Sequence, residues 1–328
     1  MSVLVTGGAG YIGSHMVQAL LDQDERVVVV DNLSTGIRQS VNPQATFVLG
    51  DVGDSALMSE VIQEHGISAV IHFAGSVIVP ESVENPTLYY ANNTAASLAL
   101  IRTSLKHEVP HFVFSSTAAV YGSPEKPVVT EDSLTNPINP YGQSKLMVEH
   151  ILADVSRAHA FRYHALRYFN VAGADLQGRR GQSTPRATHL IKRACEVVLG
   201  KHAYLDIFGT DFPTLDGTGV RDYIHVVDLV EAHLLALNAM RNGASSSVYN
   251  CGYGRGLSVN EIIRAVESVS GKSLPTRKMP RRAGDPAMLI ADSTRLQKQL
   301  GWRPRHADIG TIVGSALNWE RQLTASTG

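Results

Sequence analysis

The sequence predicts an α/β protein built on a Rossmann-type, doubly wound parallel sheet, with a smaller C-terminal cap domain over the carboxyl edge of that sheet. Two observations predict this fold class. Short apolar runs alternate with helical stretches through the first half of the chain, and such alternation favours parallel strands joined by right-handed crossovers. Beyond about Asn170, irregular loops rich in glycine and proline separate the helices. We therefore predict domains over residues 1–169 and 170–328, allowing for a partial return of the later chain to the first domain.

The individual elements follow from the pattern of apolar residues. A continuous valine run at 26–30 suits a central parallel strand that is buried on both faces. Pro86 lies near the start of one long predicted helix, and a second begins at Tyr141. The predicted strands are 2–6, 26–30, 46–49, 69–73, 111–115 and 163–167, and the other predicted helices are 11–21, 55–65, 185–199, 227–240 and 259–270, with the first long helix over 86–106.

Composition and charge exclude several classes of function. The 328 residues carry a formal net charge of −1, which argues against a general nucleic-acid or membrane-surface role. No apolar run is long enough to span a bilayer, and the N-terminal run MSVLVTGGAG is typical of a first strand followed by a turn, not of a signal peptide. Cys195 and Cys251 form neither a disulfide framework nor a metal site. We expect a cytoplasmic protein that binds no metal.

A glycine-rich loop, GGAGYIGSH, follows the first predicted strand and opens the first helix. Glycines at Gly7, Gly10 and Gly13 permit a tight turn and close approach of a pyrophosphate to a helix N-terminus. Asp31 ends the second strand, where a carboxylate accepts hydrogen bonds from the adenosine ribose and repels a 2′-phosphate. The loop therefore predicts a dinucleotide site that favours NAD. Asp51, after the third strand, is interpreted as an adenine contact, with a helix N-cap as the alternative.

Tyr141 and Lys145 form a second chemical motif, because positions i and i+4 share one face of a helix. A free tyrosine has a pKa of about 10, too high for a base near neutrality. A nearby cation lowers that pKa, so that the phenolate accepts a proton from a substrate hydroxyl. Thr117 lies just after the fifth predicted strand, at the same edge of the sheet. Its hydroxyl is predicted to share the proton, with a strand-end capping role as the alternative.

Several motifs together resemble a known family, the extended short-chain dehydrogenase/reductases. They are the glycine loop, FSSTAAVYG, the Tyr141/Lys145 pair and RYFN at 167–170. The blocks GTGVRDYIHVVDL (217–229) and RRAGD (281–285) narrow the resemblance to the nucleotide-sugar 4-epimerases of that family. The resemblance covers nearly the whole chain. It implies interconversion of UDP-glucose and UDP-galactose by oxidation and re-reduction at carbon 4, through a 4-keto intermediate, in a homodimer paired through the two long helices.

The resemblance also implies roles for particular residues. Tyr141, Lys145 and Thr117 would be catalytic. NAD would be bound by Gly7, Gly10, Tyr11, Ile12, Gly13, Asp31, Asn32, Asp51, Val52, Phe73, Ala74, Gly75, Asn92, Tyr141, Lys145 and Tyr168. The UDP-hexose would be bound by Thr117, Tyr141, Asn170, His189, Leu190, Phe208, Arg221, Tyr223, Arg282, Asp285 and Leu289.

The chain departs from the family pattern at three positions. Val77 stands where some members carry a lysine for the cofactor phosphates. Thr188-His189 replaces paired asparagines, and His189 is the candidate substitute. Leu289 stands at a position where tyrosine excludes N-acetyl sugars and a small residue admits them, which leaves that choice open.

Other functions remain as alternatives to epimerisation of UDP-glucose. One is a 4-epimerase for UDP-N-acetylglucosamine or a UDP-pentose, and a less favoured one is a non-catalytic NAD-sensing module. A 4,6-dehydratase is disfavoured, because Ala118-Ala119 cannot supply the acid–base pair that expels the 6-hydroxyl.

Overall fold

The computed structural model describes residues 2–184, 187–282 and 284–325. Its strands, in chain order, are β1 (Ser2–Thr6), β2 (Arg26–Asp31), β3 (Thr46–Leu49), β4 (Ile67–His72), β5 (His111–Thr117), β6 (Val128–Val129), β7 (Arg162–Tyr168), β8 (Asn170–Ala172), β9 (Leu205–Phe208), β10 (Val220–His225), β11 (Ser247–Cys251), β12 (Gly256–Ser258), β13 (Thr276–Met279) and β14 (Met288–Ala291). Its α-helices are α1 (Tyr11–Leu21), α2 (Ser55–His65), α3 (Val79–Glu84), α4 (Pro86–Tyr89), α5 (Ala96–Lys106), α6 (Pro140–Ala158), α7 (Leu190–Val198), α8 (Val226–Arg241), α9 (Val259–Ser270), α10 (Thr294–Leu300) and α11 (Ile309–Ala325).

The larger sheet has seven strands in the order β3-β2-β1-β4-β5-β7-β11, and every neighbouring pair is parallel. Its two faces are both covered, because the apolar side chains of each strand alternate between them. Val3 and Val5 of β1 pack with α1 and α8 on one face. Leu4 packs with α2, α5 and α6 on the other. This arrangement brings the carboxyl ends of the strands to one edge, where ligands bind in open α/β sheets.

The cap is built on a five-stranded sheet in the order β12-β10-β14-β6, with β8 pairing to β10. A two-stranded ribbon of β9 and β13 lies beside it. Helices α7, α9 and α11 pack on one another around Ile191, Ile262 and Val313. Because β8 directly follows β7, the cap sheet continues from the carboxyl edge of the larger sheet.

The predicted fold class is confirmed, and several predicted elements have the bounds expected, including β1, α1, β3, α2 and α9. Two helix predictions need correction. The segment 86–106 is helical but contains a π-helical turn over Tyr90–Ala95. The helix predicted at 185–199 begins only at Leu190, and its expected start at Pro185 lies outside the described residues.

One strand of the larger sheet was absent from the sequence-based prediction. β11 comes from residues after 170 and pairs in parallel with β7. The division at 169/170 stays a prediction, and the larger sheet includes a strand from each side of it.

Among the residues described, no helix has the length and apolar character needed to cross a membrane. The same residues contain no group of three or more His, Cys, Asp or Glu side chains arranged to hold a metal ion.

Candidate active site

The glycine loop joins β1 to α1 and leaves the N-terminus of α1 open. Gly7 has a φ of +70°, and a Cβ there would lie 2.6 Å from the Ala74 backbone nitrogen. A Cβ at Gly13 would lie 2.2 Å from the Gly7 carbonyl oxygen. Gly10 is the N-cap of α1 and has no side-chain cap, so the first-turn N–H groups at Tyr11 and Ile12 are directed at the site that NAD phosphates require. The loop therefore fits a dinucleotide.

Asp31 lies at the carboxyl end of β2, and its carboxylate is already held in place by the backbone. It accepts hydrogen bonds from Ala9 N (2.9 Å) and Leu33 N (2.8 Å). A carboxylate has about four acceptor positions, so capacity remains for ribose hydroxyls. Asp51 accepts hydrogen bonds from Asn32 Nδ2 at 3.0 Å and Gly53 N at 2.7 Å. The alternative role for Asp51 as a helix cap is wrong, since Asp54 caps α2.

The remaining residues predicted to bind the cofactor lie along the same edge. Phe73, Ala74 and Gly75 form the turn after β4 that faces the glycine loop. Asn92, in the π-helical turn, donates a hydrogen bond to Ser76 Oγ at 3.2 Å. Val52 is buried and packs in the core beneath the site. Val77, where some relatives carry lysine, has 56% of its surface exposed and adds no charge.

Thr117, Tyr141 and Lys145 come together where β5 meets the first two turns of α6. Asn139 caps α6 by accepting a hydrogen bond from Gly142 N at 2.9 Å, and Pro140 occupies the first turn. One turn later, Lys145 Nζ is buried and donates to the Ser115 carbonyl oxygen at 3.0 Å. The Thr117 hydroxyl lies close enough to the Tyr141 phenol to influence its pKa, and it also accepts a hydrogen bond from Ala119 N at 3.1 Å. A phenol, a hydroxyl and an ammonium thus share one side of the sheet edge.

Burial dominates the electrostatics of this group. It raises the pKa of Tyr141, and the neighbouring Thr117 hydroxyl acts in the opposite direction. Burial lowers the pKa of Lys145 to about 8. The expectation that the lysine charge lowers the pKa of Tyr141 stays a prediction, because in the protein alone only burial and Thr117 shift that pKa.

The arginines predicted to bind a diphosphate have partners in the cap. Arg221, on β10, forms an ion pair with Asp285 and not with its sequence neighbour Asp222. Asp222 is instead fully buried and accepts hydrogen bonds from backbone N–H groups. The Arg282 guanidinium carbon lies 3.7 Å from the centre of the Phe208 ring. The cap therefore carries two guanidinium groups, those of Arg221 and Arg282, of the kind that binds an anionic diphosphate.

The segment that holds Arg282 and Asp285 lies against the catalytic helix. A Cβ at Gly284 would lie 3.7 Å from the Ile138 carbonyl oxygen and 3.8 Å from Asn139 Nδ2. The middle of the RRAGD block, Ala283, lies outside the described residues. The segment predicted to bind the diphosphate is thus placed next to the N-terminus of α6, which carries Tyr141.

Other predicted sugar and uridine contacts lie around this junction. Asn170 is exposed and pairs in register with Tyr223, which is buried. Leu289 pairs in register with Arg221 and is buried in a small apolar cluster with Ala118 and Leu146. His189 precedes Leu190 at the start of α7, and its ring centre is 6.1 Å from that of Tyr11. His189 therefore lies nearer to the glycine loop than a purely substrate-binding role predicts.

Sequence reasoning missed the polar side chains behind the catalytic group. Tyr168, predicted as a cofactor contact, shares a hydrogen bond with Ser115. Glu149 forms a buried ion pair with Arg167 and accepts a hydrogen bond from Ser116. A signal existed for Glu149, since it is four residues after Lys145 on the same helix face. Nothing local indicated that its partner is Arg167.

The site and fold match known proteins closely. A family model described as the NAD dependent epimerase/dehydratase family matches residues 3–252, and the chain belongs to that family of NAD-dependent enzymes. Because its curated relatives align over nearly the full length, the chain can also be placed within the family: it is a member of the UDP-glucose 4-epimerase group. The predicted family and the predicted NAD cofactor are thereby confirmed.

Three relatives illustrate the match. The UDP-glucose 4-epimerase of Azospirillum brasilense is 54% identical, covering 99% of this chain and 94% of that protein. The crystal structure of UDP-glucose 4-epimerase from Bifidobacterium longum in complex with NAD+ and UDP is 39% identical, covers 98% of each chain and gives a TM-score of 0.93. The UDP-Glc/GlcNAc 4-epimerase of Campylobacter jejuni is 45% identical, covers 98% of this chain and 99% of that chain and gives a TM-score of 0.85.

Proposed function

We propose that this protein interconverts UDP-glucose and UDP-galactose by oxidising and then re-reducing carbon 4 of the sugar. The observation that carries the proposal is the junction of Tyr141, Lys145 and Thr117 with the arginine-bearing segment of the cap. One side of that junction moves a proton, and the other binds a diphosphate. Bound NAD supplies a hydride acceptor and donor for carbon 4.

In the forward half of the reaction, the Tyr141 phenolate accepts the proton of the 4-hydroxyl, and Thr117 hydrogen-bonds the same oxygen. The Lys145 ammonium stabilises the phenolate and holds the cofactor ribose. Arg221 and Arg282 bind the diphosphate, so the 4-keto sugar stays attached through UDP while it rotates. Tyr141 then returns its proton to the oxygen on carbon 4. Most binding energy comes from UDP, which leaves the sugar free to turn.

The test is to incubate the purified protein with UDP-galactose and to identify the product by chromatography. We expect UDP-glucose to accumulate until the two sugars reach equilibrium. Tyr141→Phe should lower kcat by at least about 100-fold, the range of general acid–base catalysis, and should leave UDP binding intact. Unchanged turnover in Tyr141→Phe would refute the assigned role of the phenol.

A second candidate substrate is favoured by one residue. Leu289 is smaller than tyrosine and larger than serine or cysteine, and it is buried beside Ala118 in the cluster next to the catalytic strand. We therefore include UDP-N-acetylgalactosamine in the same assay. Conversion to UDP-N-acetylglucosamine at a comparable kcat/KM would assign both activities to the chain, and no conversion would restrict it to hexoses without the N-acetyl group.

The protein is also proposed to act in the cytoplasm as a homodimer. Leu98 on α5 and Met147 on α6 have 38% and 37% of their surfaces exposed, which suits helices that pair with a second copy. Cys195 and Cys251 are both free and buried, as in a reducing compartment. Light scattering should give the mass of two chains, and Leu98→Glu with Met147→Glu should give that of one.

A further inference from the structure

A buried polar network lies directly behind the catalytic group, and the reaction described above does not use it. Its centre is the ion pair between Glu149 on α6 and Arg167 on β7, whose side chains are only 4% and 7% exposed. Arg167 Nε lies 2.9 Å from Glu149 Oε1 and 3.2 Å from Oε2. Ser116 on β5 donates a hydrogen bond to Oε1 of the same carboxylate. One buried carboxylate therefore joins three elements of the active site.

The position of these contacts relates them to catalysis. Glu149 lies one and two turns after Lys145 and Tyr141 on the same helix face. Ser116 pairs in register with Arg167, and the next pair along the two strands is Thr117 with Tyr168. The Glu149 carboxylate thus fixes α6 to β5 and β7 at the residue pair that immediately precedes Thr117.

The network also extends from Arg167 towards the cap. Arg167 Nη1 donates to the Tyr121 hydroxyl at 3.0 Å, and that hydroxyl donates to Asn250 Oδ1 at 2.6 Å. Asn250, on β11, donates to the Val129 carbonyl oxygen of β6 at 2.9 Å. β6 pairs with β14, the strand that carries Leu289. The same chain of bonds therefore links the catalytic helix to the substrate-binding sheet.

An ion pair is a costly way to fill a buried space, because apolar residues of similar volume are often as stabilising or more so. What it adds is a fixed geometry, since a guanidinium and a carboxylate meet in one plane. Reactions of this kind are sensitive to that geometry: a displacement of about 1 Å can cost about 100-fold in rate.

We propose that Glu149 and Arg167 are positioning residues for the epimerisation, and that their ion pair sets the distance between Tyr141, Thr117 and the sugar 4-hydroxyl. This inference rests on the proposed function, because it assigns the network to that reaction. Neither residue touches the reacting atoms.

The main test replaces both partners at once, as Glu149→Met with Arg167→Met, so that no unpaired charge is left buried and folding is preserved. We expect kcat for UDP-galactose to fall by about 10- to 100-fold, while KM changes by less than about threefold because the cap arginines still hold UDP. The bound NAD, measured after release by denaturation, should be unchanged. The pH midpoint of kcat should rise. If Thr117 moves away from Tyr141, its hydroxyl no longer lowers the pKa of the phenol as strongly.

A control removes another ion pair, at the opposite edge of the larger sheet. Arg241 at the end of α8 pairs with Glu25, the residue before β2, and their side chains are 28% and 23% exposed. Arg241→Met with Glu25→Met should leave kcat and its pH midpoint unchanged. Arg167→Lys, which keeps a cation beside Glu149 but loses the bidentate fork, should recover part of the rate lost in the double Met variant.

A milder variant keeps the test decisive if the double Met protein does not fold. Ser116→Ala removes only the hydroxyl bond to Glu149, and Ser104→Ala, which removes a buried hydroxyl bonded to the Leu100 carbonyl oxygen, is its control. We expect Ser116→Ala to lower kcat by about threefold or more and Ser104→Ala to leave it unchanged, consistent with the loss of one positioning bond.

The inference is overturned if the Glu149 and Arg167 variants keep kcat within about twofold of the original, or if their rate loss equals that of the controls. Failure of the proposed function looks different, because the unmodified protein would then not convert UDP-galactose at all.

Discussion

Tyr141 shows how much of the chemistry depends on single neighbours. Burial raises the pKa of its phenol, whereas the neighbouring Thr117 hydroxyl acts to lower that pKa. The i, i+4 spacing identified Tyr141 and Lys145 from sequence, since helix geometry alone brings them to one face. The partner of Arg221 could not be found in that way. Arg221 and Asp285 are separated by 64 positions, and only the pairing of β10 with β14 brings them together.

Replacing Thr117 should change how activity depends on pH. Because the Thr117 hydroxyl acts to lower the pKa of Tyr141, Thr117→Val should raise that pKa, so that less phenolate forms at neutral pH. We expect a kcat lowered by about 10- to 100-fold at pH 7 and an ascending limb of the pH–rate profile that is displaced to higher pH. Steady-state rates between pH 6 and 10, to be measured on both proteins, check this.

Thr103→Val is the control for that measurement. Thr103 is a buried threonine on α5 that donates to the Ala99 carbonyl oxygen, and its replacement should not move the profile. A Thr117→Val profile superimposable on the original would show that the hydroxyl does not influence the phenol.

At the level of elements, the glycine loop and α1 were predicted with the correct bounds because their sequence signals are local. A strand, three glycines and a helix start follow one another without a gap. The π-helical turn at Tyr90–Ala95 was not predicted, because the low helix propensity of Asn92, Asn93 and Thr94 does not distinguish a widened turn from an ordinary helical one. The start of α7 was predicted too early, at Pro185, because proline is common in the first turn of a helix.

The close contact inside the glycine loop predicts a large effect from a single methyl group. Gly13→Ala would put a Cβ 2.2 Å from the Gly7 carbonyl oxygen, so the loop or α1 must move away from the phosphate-binding position. We expect the NAD content of the purified protein to fall by at least about tenfold, as expected when about 1.4 kcal/mol or more of binding energy is lost. Absorbance of NAD released by denaturation gives the measurement.

Gly314→Ala provides the comparison within α11. A Cβ there has its nearest neighbour, Val269 Cγ1, at 4.0 Å. This variant should retain its NAD and gain about 0.5–1 kcal/mol of stability, because alanine favours a helix interior over glycine. Retained NAD in Gly13→Ala would contradict the assignment of the loop.

At the scale of the whole molecule, the core holds several histidines as neutral groups. Burial lowers the pKa of His72 to about 3 and those of His15, His225 and His233 to about 4. His15 Nε2 and His233 Nε2 have no hydrogen-bond partner in the described structure, which suits an uncharged ring. None of this could be predicted from sequence, because the burial of these side chains depends on how distant elements pack.

These histidines predict that the protein loses stability in mild acid. In the unfolded chain a histidine takes up its proton below about pH 6.5, whereas the folded state resists protonation down to about pH 4. Their contribution is therefore complete above about pH 6.5 and is lost as the pH falls towards 4, by up to about 1.4 kcal/mol per pH unit for each histidine. Free energies of unfolding from urea titrations at pH 7, 6 and 5 measure the slope.

Two variants separate this effect from other titrating groups. His233→Leu should reduce the slope between pH 6 and 5 by about one proton. Leu237→Met, a volume-conserving change at a buried, non-titrating position of the same helix α8, should leave the slope unchanged. An equal slope in the original and His233→Leu would mean that His233 is protonated in the folded protein.

The strand β11 comes late in the chain but completes the larger sheet, whose other strands all come from the first 168 residues. It lies beyond the boundary predicted at 169/170, yet it covers the outer edge of β7, whose last residues neighbour the catalytic group. In a fragment ending at residue 169, the outer edge of β7 would have no partner strand, and an unpaired strand edge promotes association with other chains. During synthesis, about 80 residues beyond position 169 must therefore leave the ribosome before β11 can complete the larger sheet. A chaperone that shields β7 during this interval would raise the yield of soluble protein more than it would for a sheet closed by consecutive strands.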